Sequence, residues 1–276
     1  MQPISFRSLV VFFLAFCSLH SGLLLGIAWP WSPCNDANIC CFGRPGANQL
    51  YIGPEIYHVQ RMRDGGAKQL GWVYGVRAGY EHIKRCKFYW GGDALYGKGT
   101  LSGRSASEDE LKSKFIDKSI EGRFGYTFQR KTGYKFAFTP FIGIGYAEEC
   151  NNFISPSPLR VHFKLRFSYG VVGFLSKMSW SPCLDIGVNF KAKFLYDAKN
   201  CVSHDPDIDG LRMLVKNQTH YRVELPMTYR KSENFFLSLV PFYEFRHYGG
   251  QVNFPFDFLE TKLNIYGVTF KFLYCL

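Results

Sequence analysis

Apolar and polar residues alternate along most of this chain from about residue 69 onward. In residues 70–82, for example, Trp72 and Tyr74 occupy one set of alternate positions and Arg77 belongs to the other set. Successive side chains of a β-strand point to opposite faces, so a period of two indicates a strand with one apolar face. The segments with clear alternation are 70–82, 88–97, 116–129, 134–146, 161–171, 180–194, 220–230 and 235–246.

Two more segments complete the predicted set of strands. Residues 48–61 alternate loosely and contain Pro54, which weakens a strand, whereas 262–276 alternate clearly. The sequence therefore predicts about ten strands. Their apolar faces are rich in Phe, Tyr and Trp, and their opposite faces mix glycine with charges of both signs.

This distribution indicates the surroundings of the strands. Segments of about ten residues suit a bilayer, and apolar-out, polar-in alternation is typical of a transmembrane barrel. The composition agrees, because the chain of 276 residues is 18% aromatic, while its mean hydropathy of -0.10 is too polar for a helical membrane protein. The predicted fold class is all-β, a transmembrane antiparallel up-and-down β-barrel of about ten strands, and a soluble β-protein is the alternative.

The connections between the predicted strands alternate in length. The long, hydrophilic ones are 97–116, 147–160 and 197–217, and the short ones are 129–134, 175–180 and 230–234. Bacterial barrels have long outer loops and short periplasmic turns. We therefore expect both chain ends in the periplasm and an even number of strands.

The N-terminal residues have the pattern of an export signal. One basic residue, Arg7, precedes an apolar run that begins at Leu9, and small residues follow, as in a secretory signal peptide. Cleavage after Cys17 or after Ala28 is compatible with the sequence, and an uncleaved membrane helix is the alternative. We predict a signal peptide at 1–28, a periplasmic cysteine-containing leader at 29–47 and the barrel at 48–276.

The C-terminal strand carries the sharpest resemblance to known proteins. Every second residue back from the end is apolar or aromatic, namely Tyr266, Val268, Phe270, Phe272, Tyr274 and Leu276. This resembles the C-terminal signature strand of bacterial outer-membrane β-barrel proteins, in which the final residue is usually Phe instead of Leu. The resemblance implies an outer-membrane location, with membrane lipid and the barrel-assembly machinery as partners.

The cysteine content adds a second resemblance. The chain has nine cysteines, and cysteines of an exported chain usually form disulfides. The content resembles cysteine-rich outer-membrane proteins of the chlamydial type, which implies disulfide-linked envelope proteins as partners. From the predicted topology, Cys150 and Cys201 lie in outer loops and are candidates for pairing with each other. The periplasmic group is Cys34, Cys40, Cys41, Cys86, Cys183 and Cys275.

The polar faces of the strands carry the candidate functional residues. We expect the following charged residues to face the lumen: Arg77, Glu81, Asp93, Glu121, Arg123, Lys164, Arg166, Asp185, Lys191, Lys193, Arg222, Glu224, Glu244, Arg246 and also Arg230 and Lys271. Ion pairs that fill a narrow interior are favoured, because a ten-stranded barrel is narrow. A weakly anion-selective pore is the alternative, and the net charge of +11 does not decide between them.

Other chemistry has little support in the sequence. Asp205, Asp207 and Asp209, followed by Gly210, match the start of a calcium loop, but Lys216 stands where the bidentate acid belongs, so a plain hydrophilic loop is favoured. Two groups of residues, His204 with Asp205 and the acidic run Glu108, Asp109 and Glu110, resemble the active sites of ten-stranded outer-membrane proteases only in composition. We expect no catalytic residue, no cofactor and no nucleic-acid partner.

These observations give an expected function. The chain is expected to be an integral barrel of the bacterial outer membrane, with a structural role or with surface loops that contact host or partner proteins. The alternative is a narrow pore for small solutes, and an outer-membrane protease or lipid-modifying enzyme is a distant third. The strand pattern does not distinguish among them, because one barrel fold serves all three.

Overall fold

The alternating segments form one closed antiparallel sheet in the computed structural model. It describes residues 48–84, 87–129, 136–158, 160–181, 183–204, 210–253 and 257–276. The strands are β1 (Asn48–Arg63), β2 (Lys68–His82), β3 (Phe88–Arg104), β4 (Glu110–Tyr126), β5 (Phe128–Gln129), β6 (Phe136–Phe153), β7 (His162–Ser181), β8 (Leu184–Ile186), β9 (Asn189–Ser203), β10 (Arg212–Leu214), β11 (Thr219–Glu224), β12 (Met227–Arg230), β13 (Phe235–Tyr248) and β14 (Thr261–Cys275). The predicted signal peptide and leader lie outside the described residues.

Ten wall strands close the ring. The short strands β5, β8 and β12 continue the lines of β4, β9 and β11, so each of these pairs forms one wall strand. Each wall strand pairs with the one before it, and β1 pairs with β14 from Gln49↔Cys275 to Arg63↔Thr261. The predicted all-β up-and-down barrel of about ten strands is confirmed. Among the described residues, no helix is long and apolar enough to cross a membrane.

The strands are longer than their alternation suggested. The 17 residues of β3 span about 40 Å along the barrel axis at a rise of ~3.3 Å and a tilt of ~40°, whereas the apolar band of such barrels is about 25 Å tall. The predicted long loops at 97–116, 147–160 and 197–217 are therefore wrong in large part. Most of these residues continue the strands, because backbone pairing persists after the apolar alternation has ended.

The two ends of the barrel differ in their connections. The loop end carries the connections that follow β1, β3, β6, β9 and β13. The turn end carries those that follow β2, β5, β7 and β12, together with the start of β1 and the end of β14. Large apolar side chains are exposed on the outer face between the two ends. Exposed aromatic residues include Trp72, Tyr96, Tyr146, Tyr196 and Tyr266 on the loop side, and Trp90, Phe128, Trp180, Tyr229 and Tyr274 on the turn side. This outer face is the surface that a membrane barrel presents to lipid.

The interior changes character along the axis, and β1 displays the order. Its inward residues begin at the turn end with Gln49 and Tyr51, continue with Glu55 and then reach Tyr57 and Val59. Tyr51 lines a cavity, Glu55 belongs to a belt of ion pairs, and Tyr57 and Val59 belong to a buried apolar cluster. The interior is therefore divided into a turn-end cavity, a central charged belt and a loop-end apolar core.

Candidate functional site

Most of the charged residues that the sequence assigns to the lumen lie inside the barrel. Arg77, Glu81, Asp93, Glu121, Arg123, Asp185, Lys191, Lys193, Arg222, Glu224, Glu244 and Arg246 are buried or half-buried and belong to inward ion pairs. They lie inward because they occupy alternate strand positions, opposite in direction to the apolar residues of the outer face. Together they form the charged belt, which we treat as the candidate site.

Arg77 links two acids of the belt, Glu55 and Asp93. Its guanidinium donates to both carboxylate oxygens of Glu55, on β1, and its Nη1 lies 2.7 Å from Oδ1 of Asp93, on β3. The other oxygen of Asp93 accepts from Nη2 of Arg123 at 3.0 Å and from Nζ of Lys191 at 3.4 Å. One carboxylate is therefore shared by three cations from three strands, a geometry that strongly favours its ionised form.

Glu244 occupies the corresponding place on the opposite wall. Its Oε1 accepts from Nζ of Lys193 and from Nε of Arg246, each at 3.0 Å, and its Oε2 accepts from Nη1 of Arg222 at 3.0 Å. Arg222 also donates to Glu224 at 2.7 Å. Because acids and bases alternate within contact distance, the belt neutralises its own charge.

Arg246 connects the belt to the apolar core. Besides Glu244, it binds Glu149 and the Oδ2 atom of Asp117, the latter at 3.0 Å. Two tyrosine hydroxyls complete this part: Tyr57 donates to Asp117 at 3.0 Å and Tyr248 donates to Glu149. These groups are almost fully buried, so their hydrogen bonds replace the water that they lose on folding.

Three acids of the belt were not predicted as lumen charges. Glu55 lies in the loosely alternating first segment, Glu149 was assigned to a long loop, and Asp117 lies near the start of its predicted segment. A signal for Glu55 is present, because Gln49, Tyr51 and Glu55 keep one parity through Pro54 in a strand that pairs on both sides.

An apolar core fills the loop-end half of the lumen. Its buried members include Tyr57, Val59, Val73, Leu101, Phe115, Leu165, Phe167, Tyr169, Tyr248, Leu263 and Ile265. Glycines make room for the inward rings: a Cβ atom at Gly145 would lie 2.3 Å from Cζ of Tyr169, and one at Gly97 would lie 2.7 Å from the hydroxyl of Tyr57. The rings therefore lie directly against the backbone of nearby wall strands, on the inner face of the barrel.

An open cavity lies at the turn end of the lumen. This cavity of about 110 Å³ is lined by residues of the belt and by Tyr51, Lys177 and Lys271. Lys271 lies over the ring of Tyr51, with Nζ 4.4 Å from the ring centroid, and Lys177 pairs with Asp185 at 2.6 Å. A second cavity of about 20 Å³ lies near Glu149 and Phe258, which is room for about one water molecule.

Lys164 and Arg166 were wrongly assigned to the lumen. Their strand, β7, buries Leu165, Phe167 and Tyr169 inside the barrel and directs the two cations outward. The reason is that this part of β7 lies beyond the lipid-facing band, where the outer face is polar and the apolar face packs into the core. Both cations contact Glu148 on the outer face, at 3.0 Å from Lys164 and 3.1 Å from Arg166.

The proposed disulfide between Cys150 and Cys201 is also at odds with the structure. Both residues are free thiols on strands instead of loops, and Lys164 of β7 pairs with each of them from opposite sides. Two strand spacings separate their Cα atoms by about 10 Å, beyond the ~7 Å that a disulfide spans.

One candidate metal site came from the sequence, the start of a calcium loop. Asp205, Asp207 and Asp209 lie outside the described residues. Within the described ranges, no group of three or more His, Cys, Asp or Glu side chains is placed to hold a metal ion.

At the loop end, hydrogen bonds from Lys262, and more weakly from His247, lower the pKa of Glu260 below its usual value.

The C-terminal signature residues line one face of β14. Tyr266, Phe270, Phe272, Tyr274 and Leu276 are exposed on the outer face, with Val268 between them. The same strand closes the ring against β1 and β13. The residues that resemble the assembly signal therefore also belong to the lipid-facing band.

One comparison with a known protein supports the fold. No family model and no curated protein matches the chain. Among solved structures, the outer membrane protease OmpT from Escherichia coli is similar with a TM-score of 0.52 at 11% identity, covering 87% of this chain and 100% of that chain. The translocator domain of the autotransporter NalP from Neisseria meningitidis has a TM-score of 0.46 at 9% identity, covering 95% of this chain and 96% of that one. The fold of this chain is that of a bacterial outer-membrane β-barrel.

Proposed function

We propose that this protein is an integral outer-membrane barrel with a closed lumen, whose activity resides in the surface at its loop end. The observation that carries the proposal is the occupied interior. The charged belt crosses the lumen, because Lys191 of β9 pairs with Asp93 of β3 and Arg246 of β13 pairs with Asp117 of β4, and the apolar core fills the space above it.

The energetics of the belt support a closed state. A solute that crossed the lumen would have to separate pairs such as Arg77–Glu55 or Arg246–Asp117, whose members are nearly inaccessible to water. Removing one partner of such a pair costs roughly 3–5 kcal/mol. Because several pairs share partners, the belt opens only as a unit.

Exposed apolar residues at the loop end support contact with another protein. Leu214 and Val252 are 56% and 82% exposed, although they lie outside the lipid-facing band. Asn253 joins their two segments, because its side chain accepts from the backbone N–H of Leu214 at 2.9 Å and donates to its carbonyl at 3.0 Å. We propose this pair as part of the contact surface, since exposed apolar patches mark interaction sites.

Single-channel recording tests the closed lumen. The refolded full-length chain, with insertion verified by heat-modifiable gel mobility, is added to a planar bilayer. We expect no discrete conductance steps from the wild type. An Arg246→Ala/Tyr57→Ala variant, which removes one belt residue and one core ring, serves as the matched control for a weakened barrier. Regular steps from the wild type would overturn the proposal.

Such steps would favour the alternative function, a narrow pore for small solutes. The turn-end cavity is the observation that favours this alternative, because it brings water-sized space up to the charged belt.

Photo-crosslinking tests the surface. A photoreactive residue at position 252 on intact cells should give a defined protein adduct, whereas the same residue at position 231, at the turn end, should not give that adduct. Equal labelling from both positions would contradict the role of the loop end.

A further inference from the structure

Three cations on the outer face of the barrel converge on one carboxylate. Glu148 of β6 lies 3.2 Å from Nζ of Lys118, 3.0 Å from Nζ of Lys164 and 3.1 Å from Nε of Arg166. The side chains of the cations are 47%, 37% and 49% exposed, whereas that of Glu148 is 12% exposed. This cluster, which we call the basic cluster, therefore carries a net charge of about +2 and presents its cations to the outside.

The neighbouring aromatic residues indicate where the basic cluster lies relative to the membrane. Glu148 follows the exposed Tyr146 by two positions on the same face of β6, which places it about 5 Å nearer the loop end at a rise of ~3.3 Å and a tilt of ~40°. On the adjacent strand, Lys118 is the register partner of the exposed Tyr96. Because exposed tyrosines mark the boundary of the apolar band, the cations lie at the level of the lipid headgroups.

The arrangement also prepares the cations for an anion. Long basic side chains normally lose rotamer freedom when they bind, and here Glu148 already holds all three. Each cation keeps further N–H groups that Glu148 does not use, since an ammonium has three donors and a guanidinium has five. A phosphate group has enough oxygens to accept from several of them at once, and such charge-assisted bonds are the strong ones.

We propose that the basic cluster binds the phosphate group of a membrane lipid in the leaflet at the loop end. The proposal rests on the membrane location of the barrel and is independent of whether its lumen is closed. Free phosphate shares the chemistry but lacks the acyl chains, which would lie against the apolar band next to Tyr96 and Tyr146.

Native mass spectrometry of the full chain tests the proposal. The probes are phosphatidic acid, which carries a phosphomonoester, and phosphatidylcholine, whose phosphate is balanced by choline. The test variant is Lys118→Gln/Lys164→Gln/Arg166→Gln. The matched control, Lys68→Gln/Lys216→Gln/Lys231→Gln, changes the net charge equally at exposed positions elsewhere. Heat-modifiable gel mobility establishes that both variants fold.

We expect wild type and control to retain phosphatidic acid in preference to phosphatidylcholine. The test variant should bind phosphatidic acid roughly tenfold or more weakly, since each basic residue near a membrane surface contributes about 1 kcal/mol. Equal binding by all three proteins would overturn the proposal. Displacement of phosphatidic acid by millimolar inorganic phosphate would also overturn it, because it would identify a site for the free anion.

A native thiol gives a second measurement. The Sγ atom of Cys150 lies 3.9 Å from Oε1 of Glu148, so a bound headgroup should shield it from a polar alkylating reagent. Peptide mapping should therefore show slower alkylation of Cys150 in vesicles that contain phosphatidic acid than in pure phosphatidylcholine. This difference should vanish in the test variant and persist in the control.

Discussion

Replacing Arg246 with methionine removes the residue that joins the charged belt to the apolar core. Methionine keeps much of the side-chain volume and cannot donate a hydrogen bond. Glu244 would keep Lys193 and Arg222 as partners. Asp117 and Glu149 would each lose their cationic partner, because among the described residues Arg246 is the cation within salt-bridge distance of both.

The magnitude follows from this difference. A buried charge without its partner costs roughly 3–5 kcal/mol, so the free energy of unfolding should fall by that amount for Arg246→Met. Arg166→Met is the matched control, since Arg166 is half-exposed and Glu148 keeps Lys118 and Lys164. Its exposed pair should contribute about 0–1 kcal/mol.

Urea titration of the protein in lipid vesicles, followed by tryptophan fluorescence, measures both variants. The triple variant Arg246→Met/Asp117→Asn/Glu149→Gln should recover most of the loss, because no buried carboxylate then remains unpaired. A stability of Arg246→Met within about 1 kcal/mol of that of Arg166→Met would show that Arg246 is not the essential partner of the buried carboxylates. A triple variant less stable than Arg246→Met alone would show the same.

Further variants test packing, loop electrostatics and orientation. Gly145→Val should lower the free energy of unfolding in the same titration by about 1–3 kcal/mol through overpacking against an inward ring, while Gly122→Val, which has open space around it, should not. Lys262→Gln should move the pKa of Glu260 upward, toward the ordinary value of a glutamate, in a carboxyl ¹³C titration in detergent micelles, and an unchanged midpoint would exclude the pairing. A tag inserted at Ser107 should be labelled on intact cells, and protection of that tag would show an inverted barrel.

The sequence predicts the wall of the barrel better than its interior. Period-two alternation identifies β2, β3 and β14 because lipid requires an apolar outer face along the whole segment. It identifies which residues share a face, but it does not say which face is inside. For β7 the assignment is reversed, since Phe167 and Tyr169 face the core beyond the lipid-facing band.

The alternation of apolar and polar residues does not predict which charged residues contact each other inside the lumen. Glu149 and Arg246 are 97 positions apart, and their contact follows from the register of strands on opposite walls. The buried acid Glu149 lies where alternation no longer marks the lipid-facing band, so the sequence predicts a loop at 147–160, while the backbone continues as strand. Asp117 lies near the start of a predicted strand, where the pattern does not show that its side chain is paired. Ring closure and strand register, rather than local pattern, decide these contacts.

The closure between β1 and β14 has a consequence for the order of folding. Their paired residues, such as Glu55 and Thr269, are more than 200 positions apart, and contacts of such long sequence separation form slowly. Until they form, β1 and β14 both expose unpaired backbone edges, which invite pairing with other chains.

The charged belt depends on the same event. Thr269 donates to Glu55 across the junction at 2.7 Å, and Arg222 lies 3.6 Å from the same carboxylate. An open sheet would leave Glu55 without these two contacts, so its burial becomes favourable only as the ends of the chain meet. Closure is therefore cooperative: the final pairing of backbone edges and the neutralisation of the lumen occur in one step, and a partly closed barrel is disfavoured on both counts.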